Sequence, residues 1–441
     1  RCAIVTGVQT CALPICDLFT ARDGKATQPR PFDWNSWDYY LATFEEDDMV
    51  ENLEAVGSLP WLDSKTRHFA ADMGWATDFG DHRPNGRFRR GMKDMAERIR
   101  DAGHVPGIWV SPFLVKWFTR AGAYMPHMML YYPDGRPGLI HTGPFDFLVD
   151  PTHPDGERFI GNIFDELMEC GFRYYKIDFI RYLLMQPMYF HKNTMARMDI
   201  VRRGIEIIRE HIGNSHFVGC GCQPEAAVGL VDAFRIGGDI STYHSTAHLQ
   251  AQFLSVRWWM NRRVWINDPD FLIVRDDVTA NDDPHNPFFP KLPYDPFGNR
   301  SGEPWKTIGE PRIWATLVAL SGGAVTMSDR ISKLNEHGLE LYRGVLENQS
   351  VFEARPMDFL ANTPATIWTR EDPEKGVSIG IVNWEDTDQV RKLTADDLGI
   401  ELAHMKPFED YWTGQSFSVK DDVLEIPVPG RDARLLNLVE A

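Results

Sequence analysis

The feature that most constrains this fold is a unit that recurs along the chain: an amphipathic helix closed by glycine, then a short apolar strand. In residues 92–102, Met92, Met95, Ala96, Ile99 and Ala102 recur at spacings of three and four, Gly103 caps the helix, and Val105–Pro112 reads as a strand. The unit repeats as helix Phe159–Cys170, Gly171 and strand Tyr174–Phe179, and again as helix Ile200–His211, Gly213 and strand His216–Cys222. Strand, helix and strand joined by short connections predict a parallel sheet buried on both faces. Phe32–Tyr40, His68–Trp75, Ala233–Asp239, Val264–Val274 and Ala324–Asp329 bring the candidate strands to eight. That number, with no glycine-rich phosphate fingerprint after an early strand, predicts an α/β (β/α)8 TIM barrel rather than an open doubly wound sheet. A chain of 441 residues, 43% hydrophobic, has ample material for such a core.

The C-terminal ends of barrel strands converge on one rim, where the side chains of an active site gather. Here those ends carry Trp37, Asp72, Trp109, Asp178, Cys222, Asp239, Asp268 and Asp329. In Tyr174–Arg181, Lys176 and Asp178 lie two apart and leave the strand on one face. On those residues alone, a buried ion pair that fixes a core competes with chemistry; the convergence of polar strand ends favours chemistry. Two carboxylates at a barrel mouth suit glycoside hydrolysis, one attacking the anomeric carbon while the other serves as acid and base. Asp178 and Asp239 are the best pair, with Arg235 placed to bind hydroxyls or to tune a neighbouring carboxylate; pairs using Asp268, Asp270 or Asp329 remain open. The aromatic run Phe32–Tyr40 reads as a sugar-stacking strand end or as plain core.

Metal chemistry is the rival. His244 and His248 have i, i+4 spacing without the glutamate of a zinc protease motif, and Cys220-Gly-Cys222 lacks a second cysteine pair, so neither a metal nor a cofactor is expected. A net charge of −17 argues against nucleic-acid and anionic-membrane partners, and the apolar runs fall short of a membrane span. A glycoside or oligosaccharide is the expected partner, and a homo-oligomer is compatible with the sequence. Residues 1–16 read as an assembly scar, which predicts that the native start is missing. Cys170, Cys220 and Cys222 are then too few for a disulfide framework, which favours a reducing, cytoplasmic setting. The barrel is expected over 17–350, with a proline-punctuated segment at 281–312 forming an ordered lid. From about Val351, alternating runs between turns predict a C-terminal antiparallel β domain over 351–441.

WNSW at 34–37, DMGW at 72–75, GDHRPNGRFRRGMKDMAERIRDAGHVPGIWVSPF, DPTHP at 150–154, YYKIDF, GCGCQPEAAVGLVDAFRIGGD, WINDPD and ALSGG occur in that order. This run resembles glycoside hydrolase family 36, the melibiase-like α-galactosidases, over about residues 30–350. The resemblance implies a retaining mechanism on a (β/α)8 barrel, with Asp178 as nucleophile and Asp239 as acid/base. It further implies that Trp37, Asp72, Trp109, Lys176 and Arg235 contact a terminal galactose and that Cys222 lies near O2. The family's usual N-terminal β-sandwich is absent from this sequence. Met73 stands where the family has aspartate, and His82 where it has tryptophan; both positions shape the pocket for the sugar. A sugar altered at O4 or O6, such as a 6-deoxy sugar or a pentose, an N-acetylgalactosaminide, and a non-catalytic carbohydrate-binding barrel are therefore the alternatives to galactose hydrolysis.

Overall fold

A computed structural model describes residues 32–140, 146–185, 188–281, 304–402 and 405–439. The expected scar at 1–16 and residues 282–303 of the expected lid lie outside the described residues. The chain divides into two compact units, one holding 33–235 with 263–266, the other 236–262 with 267–439 and Phe32.

The first unit is built of repeated strand–helix units. Strands β1 (Phe32–Asn35), β2 (Thr66–Ala71), β3 (Val105–Val110), β4 (Tyr174–Ile177), β5 (His216–Gly219) and β6 (Ala233–Arg235) lie side by side in chain order. Their registers are parallel: His68 faces Val105, Trp109 faces Lys176, Lys176 faces Val218, and Ala233 faces Val218. Helices α1 (Glu46–Gly57), α2 (Gly91–Asp101), α3 (Pro154–Cys170) and α4 (Arg197–Ile212) alternate with them. In α2 the expected stripe of Met92, Met95, Ala96 and Ile99 is buried, and the helix stops before Gly103, whose φ of +92° suits a residue without Cβ.

The second unit takes up the remaining barrel elements. The expected strand over 264–274 is two pieces, β7 (Ile266–Asp268, begun in the first unit) and β8 (Phe271–Leu272), because Pro269 and Asp270, at φ +80°, interrupt it. β8 pairs in parallel with β9 (Val325–Met327). Helices α5 (His244–Arg257), α6 (Gly309–Ser321) and α7 (Glu336–Asn348) belong here. The end of the proline-punctuated segment is helical from Gly309, with Trp305 buried and its N–H donated to the Thr242 carbonyl. With β7 and β8 as one broken stave, the architecture is a (β/α)8 barrel.

An antiparallel β domain follows the barrel. Ile367–Asp372, Gly376–Asn383 and Asp432–Leu438 pair in sequence, and Gln389–Thr394 pairs with Val423–Val428. Their inward residues, among them Ile379, Ile381, Leu424, Ile426 and Leu436, form one core. Among the described residues no helix is long and apolar enough to cross a membrane.

Candidate active site

The register of β3 on β4 builds the first half of the site. Trp109 lies opposite Lys176, and the ladder runs one step past the strand, with Asp178 N–H donating to the Val110 carbonyl at 3.0 Å. Alternation therefore keeps Asp178 on the face of Lys176. Lys176 Nζ meets Asp72 Oδ2 at 2.8 Å, both side chains being buried. Asn35 Nδ2 donates to the same oxygen at 2.8 Å, Met73 N–H to Oδ1 at 2.8 Å, and Asp72 N–H to Ser36 Oγ at 3.0 Å. Burial, the largest single influence, would lower the Lys176 pKa, but Asp72 together with Cys220 and Asp178 outweighs it and holds the ammonium above its ordinary range. Removing either partner would leave a lone buried charge, at a cost of about 3–5 kcal/mol.

Asp178 is half-buried, with Oδ1 accepting from Phe179 N–H at 2.7 Å and Oδ2 from Trp109 Nε1–H at 3.3 Å. The backbone beside this bond is strained. Phe179 sits at φ +62°, a conformation a bulky residue adopts at a cost of about 1–3 kcal/mol. Gly221, at φ +51°, packs against it, and a Cβ there would lie 2.6 Å from Asp178 Oδ1. Beside them burial pushes the Cys222 thiol up to about 12, with the Asp178 charge adding to the shift, so the thiol stays protonated. Trp109 is pinned through its carbonyl by Trp75 Nε1–H at 2.8 Å.

The other expected residues of this unit occupy supporting positions. Trp37 is almost fully buried, and its N–H donates to Asn35 Oδ1 at 2.8 Å, which orients the amide held on Asp72. Arg235 is buried with Nη1 3.8 Å from Cys220 Sγ, and its charge acts on Lys176. His82, in the family's tryptophan position, is bonded to the Ser111 backbone and pushed down to about 4 by burial, hence neutral.

Asp239 and Asp268 belong to the second unit. Asp239 follows β6 in a half-exposed bend, flanked by Gly238, whose carbonyl accepts from Gln250 Nε2 at 2.5 Å, and by Ile240, whose N–H donates to Asp270 Oδ2 at 2.6 Å. Asp268 is buried, its Oδ1 accepting from Asp270 N–H at 2.9 Å. Asp329 is a core ion pair: Arg275 Nη1 lies 2.6 Å from Oδ1, Tyr342 OH 2.6 Å from Oδ2, and the residue is fully buried. His244 and His248 set their rings against Trp384.

Sequence reasoning missed Asn35, Ser36, Phe179 and Gly221 as site residues. The first two were visible in the WNSW motif as polar residues inside an apolar run; a positive φ at phenylalanine leaves no sequence signal. A cleft of about 480 Å³ between α3 and α4, lined by Thr152, Glu157, Arg158 and His211 among others, lies elsewhere. Its Thr152, Glu157 and His211 are already bonded to Asp150, Arg203 and Asp165, so strand ends rather than this groove hold the convergent polar groups.

No family model matches the chain. Among solved structures it is similar to an α-galactosidase from Thermus thermophilus in complex with p-nitrophenyl α-D-galactopyranoside, at TM-score 0.58 and 21% identity, covering 78% of this chain. The chain spans 65% of the length of that protein. It is similar to a GH27 β-L-arabinopyranosidase from Geobacillus stearothermophilus at TM-score 0.68 and 15% identity over 95% of this chain and 98% of that one. α-Galactosidase I from Mortierella vinacea matches at TM-score 0.64 and 14% identity, over 95% and 98%. The shared feature is the fold, a (β/α)8 barrel followed by a C-terminal antiparallel β domain.

Proposed function

We propose that the chain is a retaining exo-glycosidase that releases a terminal α-linked, galactose-like sugar by double displacement. The observation that carries the reading is Asp178, a half-buried carboxylate at a strand end whose oxygens are aimed by Phe179 N–H and Trp109 Nε1–H. In this reading Asp178 attacks the anomeric carbon while Asp239 protonates the leaving oxygen and then deprotonates water. Double displacement needs the two carboxyl groups about 5–5.5 Å apart. The buried Asp72–Lys176 pair and the neutral Cys222 thiol supply fixed polar contacts for sugar hydroxyls. The sequence motifs favour family 36 within the superfamily. The Thermus thermophilus protein, also known in complex with stachyose, supports an oligosaccharide substrate.

The assay is turnover of aryl α-galactosides of graded leaving-group ability. Asp239→Ala should retain activity on good leaving groups, which need no proton, and lose it on poor ones. Equal loss on all of them would remove Asp239 from the acid role.

A second reading of the glycone rests on Met73, which offers the site its backbone N–H, already on Asp72, and an apolar side chain. A charged acceptor contributes about 1.5–3 kcal/mol, so its absence disfavours a sugar that needs one at O4 or O6. The fold shared with a β-L-arabinopyranosidase supports a pentose at this position. Met73→Asp, assayed on aryl α-galactoside and on its 6-deoxy and pentose analogues, should raise galactoside activity selectively. An equal change on all three would remove Met73 from specificity.

A further inference from the structure

The loop that leaves β3 holds a pair of aromatic rings out into solvent on a backbone tied down at Lys116, Trp117 and Thr119. Trp117 and Phe118 are 63% and 54% exposed, with ring centroids 5.7 Å apart at 88°. Their support is rigid. Lys116 N–H donates to the Phe79 carbonyl at 3.0 Å, Trp117 N–H to Asp146 Oδ2 at 2.8 Å, and Thr119 N–H to the Lys116 carbonyl at 3.1 Å. Gly122 packs so closely beneath that a Cβ there would lie 2.2 Å from the Lys116 carbonyl oxygen. Leu114–Val115 pairs with Phe147–Leu148 at the base of the loop.

The same loop is continuous with the surroundings of Asp178. Phe79, whose carbonyl anchors Lys116, sets its ring 6.3 Å from Trp109 and 6.3 Å from Phe179, and Phe179 lies 5.9 Å from Tyr182. Trp109 is the ring that donates to Asp178. A wall of aromatics therefore runs from the buried Trp109 through half-exposed Phe79, Phe179 and Tyr182, and the exposed Trp117 and Phe118 follow directly on Lys116, whose N–H is held by the Phe79 carbonyl.

We propose that Trp117 and Phe118 form a stacking platform for a pyranose ring on the leaving-group side of the scissile bond, so that the substrate is an oligosaccharide. This rests on the glycosidase reading above. Pyranose rings present apolar C–H faces that stack on aromatic faces, and rigid rings lose little entropy on binding. A protein partner fits less well, because two part-exposed rings of roughly 150–250 Å² each fall short of the ~800 Å² per side of a stable interface.

The test is calorimetric titration of the Asp178→Asn protein with a trisaccharide ending in α-galactose and with free galactose. The trisaccharide should bind about tenfold more tightly, as one ring stacked on the sugar and a second set edge-on beside it allow. In the added Trp117→Ala/Phe118→Ala variant that advantage should fall below about twofold, while Trp117→Phe, which keeps a ring, should retain most of it. An advantage that survives loss of both rings, or none in the parent, overturns the platform. So does an oligomer that the double variant dissociates, by sedimentation, while the advantage persists. The glycosidase reading fails separately, if the protein with Asp178 intact turns over no α-galactosyl fluoride.

Discussion

Asp178 and Asp329 both end barrel strands, and on sequence alone both are candidate carboxylates at a mouth; their surroundings differ in what is left to bind. Around Asp329, Oδ1 meets Arg275 while Oδ2 accepts from Tyr342 OH and Val274 N–H, and no surface is exposed. Around Asp178, one backbone N–H and one distant indole N–H hold the carboxylate, which stays half-exposed. A saturated carboxylate stabilises a fold. An aimed but unsaturated one, backed by strained Phe179, has lone pairs to offer a ligand.

Mutation separates the two. Asp178→Ala should lower kcat by about 10⁴-fold or more, with little change in Tm because the side chain is only half-buried. Asp329→Ala should instead cost about 3–5 kcal/mol by leaving Arg275 charged and buried, as read by chemical denaturation. If Asp329→Ala folds normally and loses activity while Asp178→Ala merely unfolds, the contrast is reversed.

Gly221→Ala sharpens the comparison, since it leaves both carboxylates in place and disturbs only the aim of one. With a Cβ 2.6 Å from Asp178 Oδ1, kcat should fall about ten- to a hundredfold. A drop confined to KM would place Gly221 in sugar binding instead.

The smallest effect concerns His82, which burial holds at about 4 in the folded chain, below the ordinary imidazole value of 6.5. Between those values the unfolded chain takes up a proton that the folded one refuses. Stability therefore rises with pH across that window and gains nothing further above it. Because the ring is partly exposed to solvent, the effect is discounted to about 1–2 kcal/mol. His82→Gln should flatten Tm between pH 4.5 and 6.5; an unchanged acid slope would assign it to other groups.

The barrel was legible because helix periodicity, glycine caps and short strands repeat in agreement, as in residues 92–112 and 159–179. The break in strand seven was not drawn, although Asn267–Asp270, with Pro269 among them, divides Val264–Val274 into two apolar pieces; the backbone shows the break at Asp270, at φ +80°. In the candidate site, Lys176 and Asp178 were readable from period-two spacing, and Asp72 and Trp109 from their places at strand ends. Asp329 was misplaced by that rule because spacing gives a side chain's direction and not its partners: Arg275 and Tyr342 reach it from distant sequence. Phe179 and Gly221 escaped for the opposite reason, since their contribution lies in φ rather than in side-chain chemistry.

The central claim is that Asp178 becomes glycosylated. Incubation with a slow 2-fluoro-galactosyl inactivator, followed by proteolysis and mass spectrometry, should place one sugar on the peptide carrying Asp178, with none in Asp178→Asn. A sugar on another carboxylate, or turnover with inverted anomeric configuration and no adduct, would contradict it.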